Sequence, residues 1–239
     1  MLKVEHLTKR FGELVAVDDL SFHVLPGQIF GIAGPNGAGK STVYNLISGH
    51  YDYQGTIRFN GREITGLPPH RIARIGIART FQTPQTFPSL TVERSVGVGS
   101  RFGSTKGFRH GHVNQIIRFM GLRSCRRMMS GALNLLDKKK LMIGAALASR
   151  PRLLMLDEPM AGSNPVEIRE LMELIRRINQ EMGITVVIIE HFMKVLTELA
   201  DHLLILESGR QICAGPPDEV TRDPEVVNCY LGDSYAESA

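Results

Sequence analysis
Residues 34–41 read Gly34-Pro35-Asn36-Gly37-Ala38-Gly39-Lys40-Ser41, which fits G-x-x-x-x-G-K-[ST] without a mismatch. Glycines at these points let backbone N–H groups turn inward and approach phosphate oxygens closely. A helix opening at Lys40 aims its N-terminal dipole at the same anion. Lys40 can reach the β- and γ-phosphates of a nucleotide, and the Ser41 hydroxyl can ligate Mg²⁺. The bland alternative is a glycine-rich turn with no ligand. Its flanks favour the phosphate loop: Gln28–Ala33 (QIFGIA) reads as a short apolar strand, and Lys40–Ser48 as a helix.

The remaining chain supports an α/β fold. Val4–Leu7 and Asp18–Val24 read as strands of an N-terminal β meander, and Thr56–Phe59 as a strand before the turn Asn60–Gly61. Pro69–Arg74 reads as a short helix. Residues 87–145 carry helical patterns, with Ile116, Ile117, Met120 and Leu122 on one apolar face, and form an inserted helical lobe. Leu153–Leu156 is apolar throughout and Thr185–Ile189 (TVVII) is a second buried-strand candidate, as strands buried on both faces read. Between them Asn164-Pro165-x-Glu167 opens a helix, with Asn as N-cap, Pro at the first helical position and Glu three residues after the cap. Its apolar residues Ile168, Leu171, Met172, Ile175, Ile178 and Met182 recur at helical spacing, and Gly183 ends it. Buried strands alternating with amphipathic helices imply a mostly parallel sheet covered on both faces.

With 239 residues, 43% hydrophobic and 22% charged, the composition is that of a globular domain and argues against disorder. No apolar run approaches the ~18–20 residues of a membrane-spanning helix, and MLKVEHLTKRF lacks the apolar core of a signal peptide. Three dispersed cysteines, Cys125, Cys213 and Cys229, suit a reducing compartment without disulfides or a clustered zinc site. The net charge of +4 is uneven: residues 101–140 hold ten Lys/Arg against Asp137 alone, a local +9 that leaves about −5 elsewhere. Aromatic residues for stacking bases are sparse there (Phe102, Phe108, Phe119). A solvated face or a subunit contact is the better reading, and no nucleic acid is expected.

Two further strand ends carry chemistry. The strand Leu153–Leu156 runs into Asp157-Glu158, where an Asp can hold a Mg²⁺ shell and the next acid can polarise a water. Thr185–Ile189 runs into Glu190-His191, at the sheet edge where open α/β sheets bind ligands.

These residues resemble the ATP-binding subunits of ABC transporters over essentially the whole chain. The fold this implies is a P-loop NTPase of ABC type with an N-terminal antiparallel β subdomain. One ATPase domain would span 1–239, with 1–86 and 146–239 as catalytic core and β subdomain and 87–145 as the helical lobe. The resemblance makes Phe11, in TKRFGELVAV, the aromatic that stacks on adenine, beside a nucleotide-binding set from Gly34 through Thr42. It makes Gln82, in RTFQ, the Q-loop glutamine, which with Ser41 and Asp157 ligates Mg²⁺. Glu158 becomes the general base, His191 the switch histidine at the γ-phosphate, and Gly162–Pro165 the D-loop. ATP and Mg²⁺ are the implied cofactors.

Within the family, LTKRFGELVAVDDLSF, GREITGLPPHRIARIGIARTFQ, FPSLTV and AGPPDEV…PEVVNCYLG resemble the branched-chain (hydrophobic) amino acid importers. The implied partners are a second ABC ATPase subunit, two membrane permease subunits and, indirectly, an external solute-binding protein. The implied location is peripheral, at the cytoplasmic face of the inner membrane. A non-transport ABC ATPase acting on nucleic acid or ribosomes, and a regulatory subunit with little turnover, are the alternatives.

One segment departs from the family. Its LSGGQ-type signature loop aligns with Leu133-Asn134-Leu135-Leu136-Asp137, which lacks both serine and glycines. Leu135 and Leu136 should block the close backbone approach that glycine allows. Asp137 opposes the helix dipole that would greet a phosphate, with Lys138, Lys139 and Lys140 available to offset it. The bland reading is a diverged loop that still closes. The sharper one is a heterodimer in which the chain's own nucleotide is hydrolysed with a partner's signature loop while the partner's nucleotide turns over slowly or not at all; a homodimer would carry two weak sites.

Overall fold
The computed structural model describes residues 1–103 and 110–229. Lys106, Phe108 and Arg109 of the basic segment lie outside them, as does the Tyr230–Gly232 end of the C-terminal match. In chain order the elements are β1 (Leu2–Phe11), β2 (Leu14–Val24), β3 (Ile29–Ala33), α1 (Lys40–Ile47), β4 (Gln54–Phe59), β5 (Arg62–Glu63), α2 (Pro69–Ile75), β6 (Ile77–Arg79), α3 (Val92–Phe102), α4 (His110–Phe119), α5 (Leu135–Ala148), β7 (Leu153–Asp157), α6 (Pro165–Met182), β8 (Thr185–Ile189), α7 (Met193–Leu199), β9 (His202–Glu207), β10 (Arg210–Gly215) and α8 (Pro217–Val220). They divide into two compact units, residues 1–69 with 185 onward, and residues 70–184.

The first unit holds the N-terminal antiparallel sheet, in the order β2-β1-β4-β5. It also holds parallel strands: β3 pairs with β8 in register Ile32↔Ile189 and with β9 in register Ala33↔Ile205, and β10 closes antiparallel on β9. Every residue of β3 and β8 is buried, as expected for parallel strands covered on both faces. A Cβ on Gly31 of β3 would meet Leu203, Leu196 and Ala200, so α7 lies directly on the sheet. Tyr44 of α1 is fully buried, and its hydroxyl donates to the Val187 carbonyl at 2.8 Å. This polar anchor ties the helix after the phosphate loop to the neighbouring strand.

In the second unit β6 runs parallel to β7, with Arg79 opposite Met155. Three helices, α3, α4 and α5, pack on one another. Gly99 and Gly144 make this possible: a Cβ on Gly99 would collide with the Ala145 carbonyl, and one on Gly144 would press on Met120 and Ile116. Ile116, Ile117, Met120 and Leu122 are all buried, as their spacing predicts. The cap of α6 also forms as read. Asn164 Oδ1 accepts from the Val166 and Glu167 amides, Glu167 Oε2 accepts from the Asn164 amide, and Gly183 ends the helix at φ 64°. Leu174 joins its buried face, while Ile168 and Met182 sit at the margin.

Candidate functional site
In the first unit the phosphate loop leaves β3 at its C-terminal end. Gly34, at φ 145°, cannot carry a side chain, because a Cβ would strike the Leu206 carbonyl of β9. Gly39, at φ 97°, packs against the Ala16 carbonyl of β2 and forms the N-cap of α1 with no side-chain hydrogen bond. A helix start without a side-chain cap keeps its first amides for a ligand. Lys40 is buried and curls back, donating to the carbonyls of Gly34 at 2.6 Å and Pro35 at 2.8 Å. Ser41 is exposed and Thr42 half-buried. Because β8 runs parallel to β3, Glu190 and His191 emerge at the same sheet edge as Gly34; Glu190 is buried and His191 exposed. Phe11 sits at the tip of the β1–β2 hairpin, opposite Leu14 and exposed.

In the second unit β7 delivers Asp157 and Glu158, both buried. Parallel pairing brings the segment after β6 alongside them: the Thr80 amide donates to the Met155 carbonyl at 2.9 Å. Gln82 Nε2 then donates to Glu158 Oε2 at 2.6 Å. Arg79 Nη2 donates to Asp157 Oδ2 at 2.9 Å, with both side chains buried. The guanidinium offsets the carboxylate charge that burial would otherwise penalise. Arg79 was not singled out in the sequence. It ends a three-residue strand whose partner is 76 residues away, and only the pairing reveals it. Glu158 has φ 45°, a left-handed conformation that side chains rarely adopt. Pro159 restricts it further.

The segment aligned with the signature loop has its own geometry. Leu133 is buried, Leu135 exposed, and Leu136 half-buried. Asn134 is the N-cap of α5, its Oδ1 accepting from the Asp137 amide at 2.7 Å. The helix start is therefore capped from within, and carries a carboxylate in its first turn. Two of the three lysines expected to offset Asp137 are engaged elsewhere. Lys139 is 2% exposed and donates to the Ala161 carbonyl and to Ser163 Oγ, and Lys140 pairs with Glu170 of α6. Part of the basic segment is thus consumed by internal contacts, as is Arg126, which pairs with Glu93. Leu135 Cδ2 lies 3.5 Å from where a Gly162 Cβ would stand.

Comparison with known proteins agrees with this geometry. Residues 17–161 match the ABC transporter family model, and residues 210–236 match that of the branched-chain amino acid ATP-binding cassette transporters. The chain is 35% identical to the high-affinity branched-chain amino acid transport ATP-binding protein BraF of Pseudomonas aeruginosa, over 98% of both chains. It is 34% identical to LivG of Escherichia coli K12, also over 98% of both. Among solved structures, the ATP-binding cassette MJ1267 in its ADP conformation superposes with a TM-score of 0.88 at 32% identity, over 97% of this chain and 98% of that one. The chain therefore belongs to the ABC transporter family: it is an ABC ATPase, with the α/β cassette fold of that family.

Proposed function
We propose that this chain binds ATP and Mg²⁺ and hydrolyses ATP to drive import of branched-chain amino acids, or a closely related small solute, through separate membrane subunits. The names of BraF and LivG and the C-terminal family match support the solute class. Gly34 to Thr42 bind the phosphates, Phe11 stacks on the base, and His191 meets the γ-phosphate. Ser41, Asp157 and Gln82 hold Mg²⁺. Hydroxyl, carboxylate and amide oxygen are the donors a hard cation prefers, and the strand-end position of the buried Asp157 suits the role. Bound there, Mg²⁺ would neutralise charge on the phosphate oxygens. Glu158 acts as general base toward water.

The observation that carries the hydrolytic reading is the 2.6 Å hydrogen bond from Gln82 to Glu158. It couples the glutamine that faces the membrane subunits to the base that starts hydrolysis. The lobe 87–145 passes the motion of a closing dimer to those subunits, within an ATPase domain spanning 1–239. The protein works at the cytoplasmic face of the inner membrane; among the described residues no helix is long and apolar enough to cross one.

The capped start of α5 supports a heterodimer. The chain's own nucleotide is hydrolysed against the partner's signature loop, while the partner's nucleotide faces Leu133–Asp137 and turns over slowly. The test is ATP hydrolysis by the chain alone, by Glu158→Gln, and with a partner ATPase whose signature loop is intact. Activity that appears only with the partner and disappears with Glu158→Gln is expected. Substantial activity of the chain alone, also lost with Glu158→Gln, would show that Leu133–Asp137 still serves as a signature loop.

A further inference from the structure
The nucleotide reading uses Phe11 but leaves its surroundings unexplained. Phe11 and Tyr51 are 41% and 44% exposed, and their rings meet edge to face, 5.2 Å between centroids at 85°. Tyr51 comes from the connection between α1 and β4, so the two rings converge from either side of the phosphate loop in sequence. Lys9 Nζ stands 5.0 Å from the Phe11 centroid and 5.7 Å from that of Tyr51, within cation–π range of both. The ammonium is held in place: Lys9 is only 8% exposed and donates to Asp52 Oδ1 at 2.7 Å. An ion pair with an exposed carboxylate contributes little energy, so its effect here is directional. Tyr51 thus touches Phe11 directly, and its neighbour Asp52 reaches the same ring through Lys9.

The hairpin that carries Phe11 is seated on the phosphate loop, where the Ala16 carbonyl meets Gly39. At ~3.3 Å per strand residue, Leu14 and the opposing Phe11 lie about 7 Å along the strand from that contact. That distance suits a sugar standing between phosphates and base. One face of Phe11 is covered by the ammonium, which leaves the other for a flat ligand.

We propose that Tyr51 and the Lys9–Asp52 pair are positioning residues that hold Phe11 as a one-faced stacking platform for the purine of the bound nucleotide. This rests on reading Phe11 as the base-stacking residue. A phenylalanine loose at a hairpin tip would lose rotamer freedom when a base stacks on it. Here the ring is already fixed, so stacking is gained without that cost. The ammonium hydrogen-bonded to Asp52 also holds its carboxyl below the usual carboxylate range. The pair is therefore intact at neutral pH. Its contribution is present above the unfolded carboxyl's pKa and is lost as pH falls through the lowered folded value.

The test titrates the full-length chain calorimetrically with ATP and with ribose 5-triphosphate, which keeps the phosphates and lacks the base. Tyr51→Ala and Lys9→Met are each expected to weaken ATP roughly three- to tenfold, leaving ribose 5-triphosphate unchanged. Tyr51→Phe, which keeps the ring, is expected to bind ATP as the parent does. Equal weakening of both ligands, or no weakening of ATP, would overturn the proposal. Phe11→Ala separates the two layers. If it binds ATP normally, the stacking reading itself fails; if it loses the base contribution while Tyr51→Ala does not, only the positioning role fails.

Discussion
Two loops in this chain run into helix N-termini, and they have been built to opposite ends. At residues 34–41 the cap of α1 is a glycine at positive φ with no side-chain hydrogen bond, and a lysine lies over the loop. At residues 133–137 the cap of α5 is an asparagine that satisfies the helix's own amide, followed by two leucines and an aspartate. A helix start can offer its dipole to an anion or satisfy it from within, and doing one weakens the other. The first loop leaves its helix start open to an anion, and the second satisfies its own helix.

The contrast should break most visibly at the phosphate loop. In the proposed heterodimer, Lys40→Ala is expected to lower ATP turnover by at least about a hundredfold, since charge on the transferred phosphoryl group would then lack its fixed cation. Steady-state phosphate release measures this. Retained turnover would remove Lys40 from the site.

Rebuilding the second loop is the reverse experiment. Converting Asn134→Ser, Leu135→Gly, Leu136→Gly and Asp137→Gln together is expected to raise turnover of the chain alone by about tenfold or more. Each new glycine costs the helix start about 1 kcal/mol, so the gain should come with a lower melting temperature. A fall in stability with no gain in turnover would mean that this loop is not what limits the chain.

Smaller effects sharpen the comparison through stability alone. Lys139→Met leaves the Ala161 carbonyl and Ser163 hydroxyl without this donor in a buried place. It should cost ~1–3 kcal/mol in urea unfolding. Asn134→Ala removes a cap and should cost about 1 kcal/mol in the same assay. A negligible loss there would mean that α5 does not depend on its internal cap.

How far the sequence could be read follows from where each determinant lies. The phosphate loop, the Asn164 capping box and the apolar strands depend on residues within a few positions of each other, and they form as read. Asp157 and Glu158 stand at the end of an apolar run, so their placement was also legible. Arg79 and Lys139 were not, because each owes its role to a partner 78 or 22–24 residues away. The lysine run 138–140 shows the limit most directly. Sequence proximity suggested that it would offset Asp137, yet helical geometry sends successive residues to different faces, and Lys139 and Lys140 reach other elements. Tyr51 belongs to the same class: its contact with Phe11 joins residues 40 positions apart, and no local pattern marks it.

The left-handed backbone at Glu158 has a consequence for selection. Holding a side chain in that region costs about 1–2 kcal/mol relative to glycine. Folding alone would favour a residue without a side chain at the position proposed to supply the hydrolytic base. In a lineage kept for stability and relieved of transport, Glu158→Gly would be among the first substitutions to spread, and its presence in a related sequence would mark a cassette that has stopped turning over.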